Sequence, residues 1–78
     1  MIDVVVPKWG LTMDDAEVIA WQIPVGGIVS LGDDLVELET DKAIGMVEAL
    51  FAGVLVEQLV GPGDIVTPGQ IIGRIQPS

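Results

Sequence analysis

Ile28-Val29-Ser30-Leu31-Gly32 and Ile65-Val66-Thr67-Pro68-Gly69 are one pattern written twice, 37 residues apart. Carried outward without a gap, that register sets Leu35 against Ile72, Leu38 against Ile75, Gly26 against Gly63, Val18 against Leu55 and Ile23 against Val60. Apolar positions meet apolar positions. A unit of this length cannot close a core by itself, so the repeat implies two similar four-stranded halves that bury their apolar faces against each other about a pseudo-two-fold axis.

The units are strands. Short apolar runs rich in Val, Ile and Leu are broken by Gly, Pro and Asp at close spacing, and no segment carries a helical stripe. Strands are expected at 2–6, 17–22, 28–30, 35–39, 44–49, 54–59, 65–67 and 71–76. The fold class is all-β, a flattened barrel or sandwich (a barrel-sandwich hybrid) of two four-stranded antiparallel sheets. With 78 residues, no Cys and no His, the chain is one domain held by aliphatic packing alone, without disulfide or zinc staples. The domain is expected over residues 1–76, with 77–78 opening a Pro-rich linker.

Composition removes several function classes. Twelve acidic against three basic residues give a formal charge of −9, which repels nucleic-acid phosphates and anionic membrane surfaces and keeps an isolated domain soluble and monomeric. A basic docking surface on a partner would suit it. No apolar run is long enough to span a bilayer and no signal segment opens the chain, so the expected location is the cytoplasm or an organelle matrix. Without His or Cys there is no ordinary general base or nucleophile, and an autonomous enzyme is not expected. The carboxylate pairs Asp14-Asp15 and Asp33-Asp34 are expected in turns and loops, because adjacent residues on extended chain point to opposite faces.

The repeat also places a landmark. The first half continues from Glu39 through Thr40-Asp41-Lys42-Ala43 into the next strand, whereas the second half simply stops. Under two-fold symmetry the hairpin is the counterpart of the gap between the termini, so Lys42 stands at the end of the domain opposite the termini. A lysine at a hairpin tip is ordinarily just solvated. Here its position lets an attached group sweep the largest volume around the domain. Glu39 and Asp41 surround the amine with negative charge, the opposite of the apolar pocket or cationic neighbour that makes a lysine nucleophilic. Lys42 therefore suits modification by an external enzyme better than catalysis.

Glu39-Thr40-Asp41-Lys42-Ala43 resembles the lipoyl attachment motif, and the whole chain is similar to lipoyl domains of the biotinyl/lipoyl carrier family. Biotin carriers usually have Met on both sides of the lysine, where Asp41 and Ala43 stand here. The resemblance extends over Trp21 and the turn at Gly63-Asp64-Ile65-Val66. The opening Pro7-Lys8-Trp9-Gly10-Leu11-Thr12-Met13 looks most like the dihydrolipoamide acyltransferases of pyruvate or acetoin dehydrogenase complexes, and less like the branched-chain or 2-oxoglutarate versions. It implies that lipoate is held in amide linkage on Lys42, with Glu39, Asp41 and Ala43 as recognition neighbours, and that the arm carries acyl groups and reducing equivalents. The implied partners are a lipoyl ligase or transferase, a thiamine-dependent decarboxylase, the acyltransferase core and the flavoenzyme dihydrolipoamide dehydrogenase. The alternatives are a biotin carrier and an unmodified acidic domain that binds a protein partner.

The chain departs from the common family pattern at four positions. Ala16 and Gly27 replace Gly and Asp, Leu50 stands where Pro is frequent, and Gly45 is unusual within a strand, where glycine weakens pairing or marks a bulge. Trp21 is expected to pack on the sheet. Trp9 lies in the connection from Lys8 to Asp15, placed either to cover the core or to face a partner. Gly32, Gly63 and Gly69 are expected to make turns.

Overall fold

A computed structural model describes residues 1–9 and 14–78 of the chain. Eight strands follow one another: β1 (Ile2–Val5), β2 (Ala16–Trp21), β3 (Ile28–Val29), β4 (Asp34–Glu39), β5 (Ile44–Glu48), β6 (Gly53–Gln58), β7 (Ile65–Val66) and β8 (Ile71–Pro77). Every expected strand is present, with ends shifted by one residue; β8 runs on to Pro77, which pairs with Gly53. Asp34, expected in a turn, instead opens β4 opposite Glu48.

The strands form two antiparallel four-stranded sheets, in the orders β1-β8-β6-β3 and β5-β4-β2-β7. Each sheet draws two strands from each repeat. The halves are interleaved, and neither is a layer of its own. The molecule is elongated, 35 × 22 × 17 Å.

The two-fold relation holds down to single hydrogen bonds. Trp21 Nε1 donates to the Val60 carbonyl at 2.8 Å, and its mate Gln58 Nε2 donates to the Ile23 carbonyl at 2.9 Å. Gly26 N bonds Leu55 O and Gly63 N bonds Val18 O, at 2.7 and 2.8 Å. The positive-φ residues among those described are Gly26, Gly32, Gly63 and Gly69, two pairs of mates at the 37-residue separation. Turn geometry is thus repeated with the sequence, because only glycine adopts that backbone without strain.

The core lies between the sheets and pairs off in the same way. Val18 and Leu55, Val29 and Val66, Leu35 and Ile72, and Leu38 and Ile75 are all buried mates. For β1 and β5 the separation is 43, matching Val4 with Val47 and Val6 with Ala49, because ten residues separate β1 from β2 but only four separate β5 from β6. Each fully buried Leu or Ile side chain contributes about 1.5–3 kcal/mol, which has to hold the domain because no disulfide does.

Two of the departures have local causes. A Cβ on Gly53 would collide with the Gln76 carbonyl oxygen, whereas its mate Ala16 keeps its methyl buried, so glycine is needed in only one half. In one turn Asp64 Oδ2 accepts from Gly61 N at 2.8 Å. The mate of Gly61 is Pro24, which has no N–H to offer, and a side chain on Gly27 would press into Ile23 and the Pro24 carbonyl. Losing the carboxylate at position 27 therefore leaves no donor unsatisfied.

Candidate functional site

The hairpin between β4 and β5 is closed by Thr40. Its amide donates to the Ala43 carbonyl at 2.8 Å, and its Oγ1 accepts from Ala43 N at 3.0 Å and from Lys42 N at 3.3 Å. The Thr40 hydroxyl also reaches the Ala43 carbonyl at 3.2 Å. Asp41 and Lys42 are thereby held as the two central residues of a tight turn. No non-glycine residue among those described has positive φ, so this turn is not one of the mirror-image types that favour Asn-Gly, and the threonine side chain supplies part of the closure instead. In the sequence, the signal for this role of Thr40 is its place ahead of two polar residues in a strand break.

The turn lies at one end of the molecule. Glu39 pairs with Glu17, and Glu17 with Ile65, so the end of β4, the start of β2 and β7 share that end. From β7 the turn through Thr67 and Gln70 leads into β8, which runs away from it to finish beside Ile2. Hairpin and termini stand at opposite ends, as the repeat implied.

Glu39, Asp41, Lys42 and Ala43 are all exposed. Among the described residues Lys42 makes no ion pair; the two ion pairs present, Asp3–Arg74 and Glu57–Arg74, lie on the other sheet. With Glu17 beside Glu39, the surface around the lysine is acidic. The arrangement suits covalent attachment: an accessible primary amine on a short, hydrogen-bonded turn, with its backbone fixed. Among the described residues no group of His, Cys, Asp or Glu is arranged to hold a metal ion.

Gly45 shows no bulge. It pairs regularly with Leu38, and the irregularity in the β4–β5 ladder falls between Asp34 and Val36. Its missing side chain is occupied by Trp9, whose Cη2, Cζ2 and Cζ3 lie 3.0, 3.2 and 3.3 Å from where a Cβ would stand. Trp9 is 40% exposed and lines a surface groove with Val5, Pro7, Met46 and Leu50. Trp21 is half-buried, hydrogen-bonded to Val60 and seated over Gly73, which is the packing role expected of it. The remainder of the quoted opening, Gly10 to Met13, lies outside the described residues.

A family model described as "biotin-requiring enzyme", covering biotin and lipoyl attachment domains, matches residues 2–75. The dihydrolipoyllysine-residue acetyltransferase component of the acetoin cleaving system of Cupriavidus necator is 35% identical over 78 residues, all of this chain and 21% of that protein. The succinyltransferase component of the 2-oxoglutarate dehydrogenase complex of Buchnera aphidicola is 38% identical over 74 residues, 95% of this chain and 19% of that protein. Identity therefore runs level between the acetoin and 2-oxoglutarate classes. The chain spans about a fifth of the length of these curated relatives. Among solved structures, the lipoyl domain of the 2-oxoglutarate dehydrogenase complex from Azotobacter vinelandii superposes with a TM-score of 0.77 at 30% identity, over 97% of this chain and 96% of that one.

Proposed function

The chain belongs to the biotin/lipoyl attachment family and is a lipoyl carrier domain within it, and from that premise we propose that Lys42 is the residue that carries lipoate, in amide linkage through Nζ. The observation that carries this assignment is the placement of Lys42 at the centre of the Thr40-closed turn, at the end remote from both termini. The only other lysine, Lys8, lies between Pro7 and Trp9 outside any strand. Similarity to acyltransferase components favours lipoate over biotin.

When attached, the group supplies a dithiolane that accepts an acyl unit together with two electrons. The chain's own residues supply the handle. Thr40 and Ala43 fix the backbone from which the Lys42 side chain extends, and the exposure of Glu39 and Asp41 leaves the amine open to a modifying enzyme. The parent protein is proposed to be the acyltransferase component of a 2-oxo-acid or acetoin dehydrogenase complex in the cytoplasm or an organelle matrix. Its lipoyl domain visits in turn the thiamine-dependent decarboxylase, the acyltransferase core and dihydrolipoamide dehydrogenase. A negative surface around Lys42 suits basic rims on those partners and raises encounter rates at low salt.

Intact-mass measurement tests the assignment. Incubation with a lipoate ligase, lipoate and ATP should add one lipoyl increment to the parent, while a biotin ligase with biotin should add none. Lys42→Arg should accept nothing while keeping its folded spectrum, because the site is exposed and the charge is retained. A lipoyl increment on that variant would move the site elsewhere.

A further inference from the structure

Gly45 and Leu38 form a cross-strand pair whose two-fold mate is Ile2 and Ile75. At the terminus end both members carry side chains, and Ile75 is buried. At the lysine end β5 contributes only a glycine, three residues past Lys42, and the vacant place is filled from outside the hairpin by the Trp9 indole. The connection that brings Trp9 there, between β1 and β2, is six residues longer than its counterpart between β5 and β6, ten against four. Among the described residues the hydrogen bonds of Thr40 stay within the turn, so none of them replaces this contact.

We infer that Trp9 is a positioning residue for Lys42: the indole seated on Gly45 holds the first residues of β5 and so sets the direction in which the hairpin presents the lysine to its modifying enzyme. The inference rests on Lys42 being the attachment site. Its physical basis is that the β5 side of this stem is the edge of its sheet, paired with β4 alone, and such an edge is weakly held unless an apolar layer packs on it. Beyond Leu38 this stem has no inward side chain of its own on β5. An aromatic ring lying flat on a glycine can come closer to the backbone than any pair of side chains, so the contact constrains direction and not merely volume.

The test uses the 78-residue chain with Trp9→Ala, Trp9→Phe and Gly45→Ala. The first readout is kcat and KM for lipoylation by a lipoate ligase, and the second is the backbone order parameters of Thr40 to Ala43 from 15N relaxation. Trp9→Ala should lower kcat/KM by about ten- to a hundredfold, a range set by the sensitivity of reaction to sub-ångström placement. It should also lower the order parameters at the hairpin while those at Val29 and Val66 stay unchanged. Trp9→Phe, which keeps a flat ring, should restore most of both. Gly45→Ala, whose methyl pushes the indole back by only a few tenths of an ångström, should fall between the parent and Trp9→Ala, and the double variant should be no worse than Trp9→Ala. Parental lipoylation and unaltered hairpin order in Trp9→Ala would overturn the inference, as would loss of order spread evenly over the domain with no recovery in Trp9→Phe. If the unsubstituted chain accepted no lipoate, the attachment site would fall, and the order parameters alone would still decide whether Trp9 holds the hairpin.

Discussion

The two ends of this domain are built on one plan and finished differently. At one end β8 and β1 meet at Ile75 and Ile2 without a connection; at the other β4 and β5 meet at Leu38 and Gly45 and are joined through Thr40 to Ala43. Core positions and turn glycines obey the two-fold relation closely. Three exceptions lie together around the hairpin: a glycine where its mate is isoleucine, an indole supplied from a long connection, and a turn closed by a threonine hydroxyl. The duplicated frame supplies the core, and these unduplicated features sit at the end that carries Lys42.

The sharpest way to break this comparison is to leave composition, charge and fold untouched and change only where the amine points. Exchanging the central turn residues, Asp41→Lys with Lys42→Asp, does so. Side-chain direction along a hairpin depends on position, so a one-residue shift re-aims the amine relative to both strands. Lipoylation by a ligase should fall at least about a hundredfold, the cost typical of misplacing a reacting group by an ångström or so. Modification at position 41 at the parental rate would mean that the ligase reads a nearby lysine and that the geometry of this end has no functional meaning.

A second test asks whether the frame is as symmetric in energy as in shape. Leu38 and Ile75 are mates, both essentially inaccessible to solvent. Leu38→Ala and Ile75→Ala should each cost about 2–4 kcal/mol, the usual effect of removing buried aliphatic volume without full collapse of the site. Against a typical total stability of about 5–15 kcal/mol, either change should shift a urea midpoint clearly. Nearly equal losses would sharpen the comparison. A much smaller loss at Leu38 would show that the lysine end is looser than the terminus end.

Much of this was legible in the chain because a repeat reports on geometry twice. The register that aligned Leu35 with Ile72 and Gly26 with Gly63 also located the core, the turns and the opposition of Lys42 to the termini. The interleaving of the sheets was not legible, since alternating apolar residues are satisfied equally by two stacked halves and by two halves that exchange strands. Nor was the role of Gly45. A glycine in a strand signals an absence, and what fills it depends on a contact 36 residues away that no local pattern encodes. Gly27 was opaque for a similar reason, as its meaning depends on Pro24 having no N–H in the mate of a turn capped by Asp64.

The smallest expected effect separates two glycines within one turn. Gly63 has φ +91°, and a Cβ there would touch nothing within 4 Å, so the cost of Gly63→Ala is purely that of holding an L-residue in left-handed backbone, about 1–2 kcal/mol. Gly61, two residues earlier, has equally open space but no positive φ. It also precedes Pro62, which already biases it towards extended backbone that alanine adopts freely. Gly61→Ala keeps the amide that donates to Asp64 Oδ2 and narrows the unfolded ensemble, so it should stabilise the domain by about 0.4–1 kcal/mol. For a chain of this size 1 kcal/mol moves Tm by about 4–8 °C, so calorimetry resolves the two substitutions as shifts of opposite sign. Gly26→Ala, at the mate of Gly63 with φ +89°, should reproduce the downward shift. If Gly26→Ala and Gly63→Ala differed by more than the Gly61→Ala effect, the two turns would be alike in backbone but not in the energy they hold, and the symmetry of the frame would end at its coordinates.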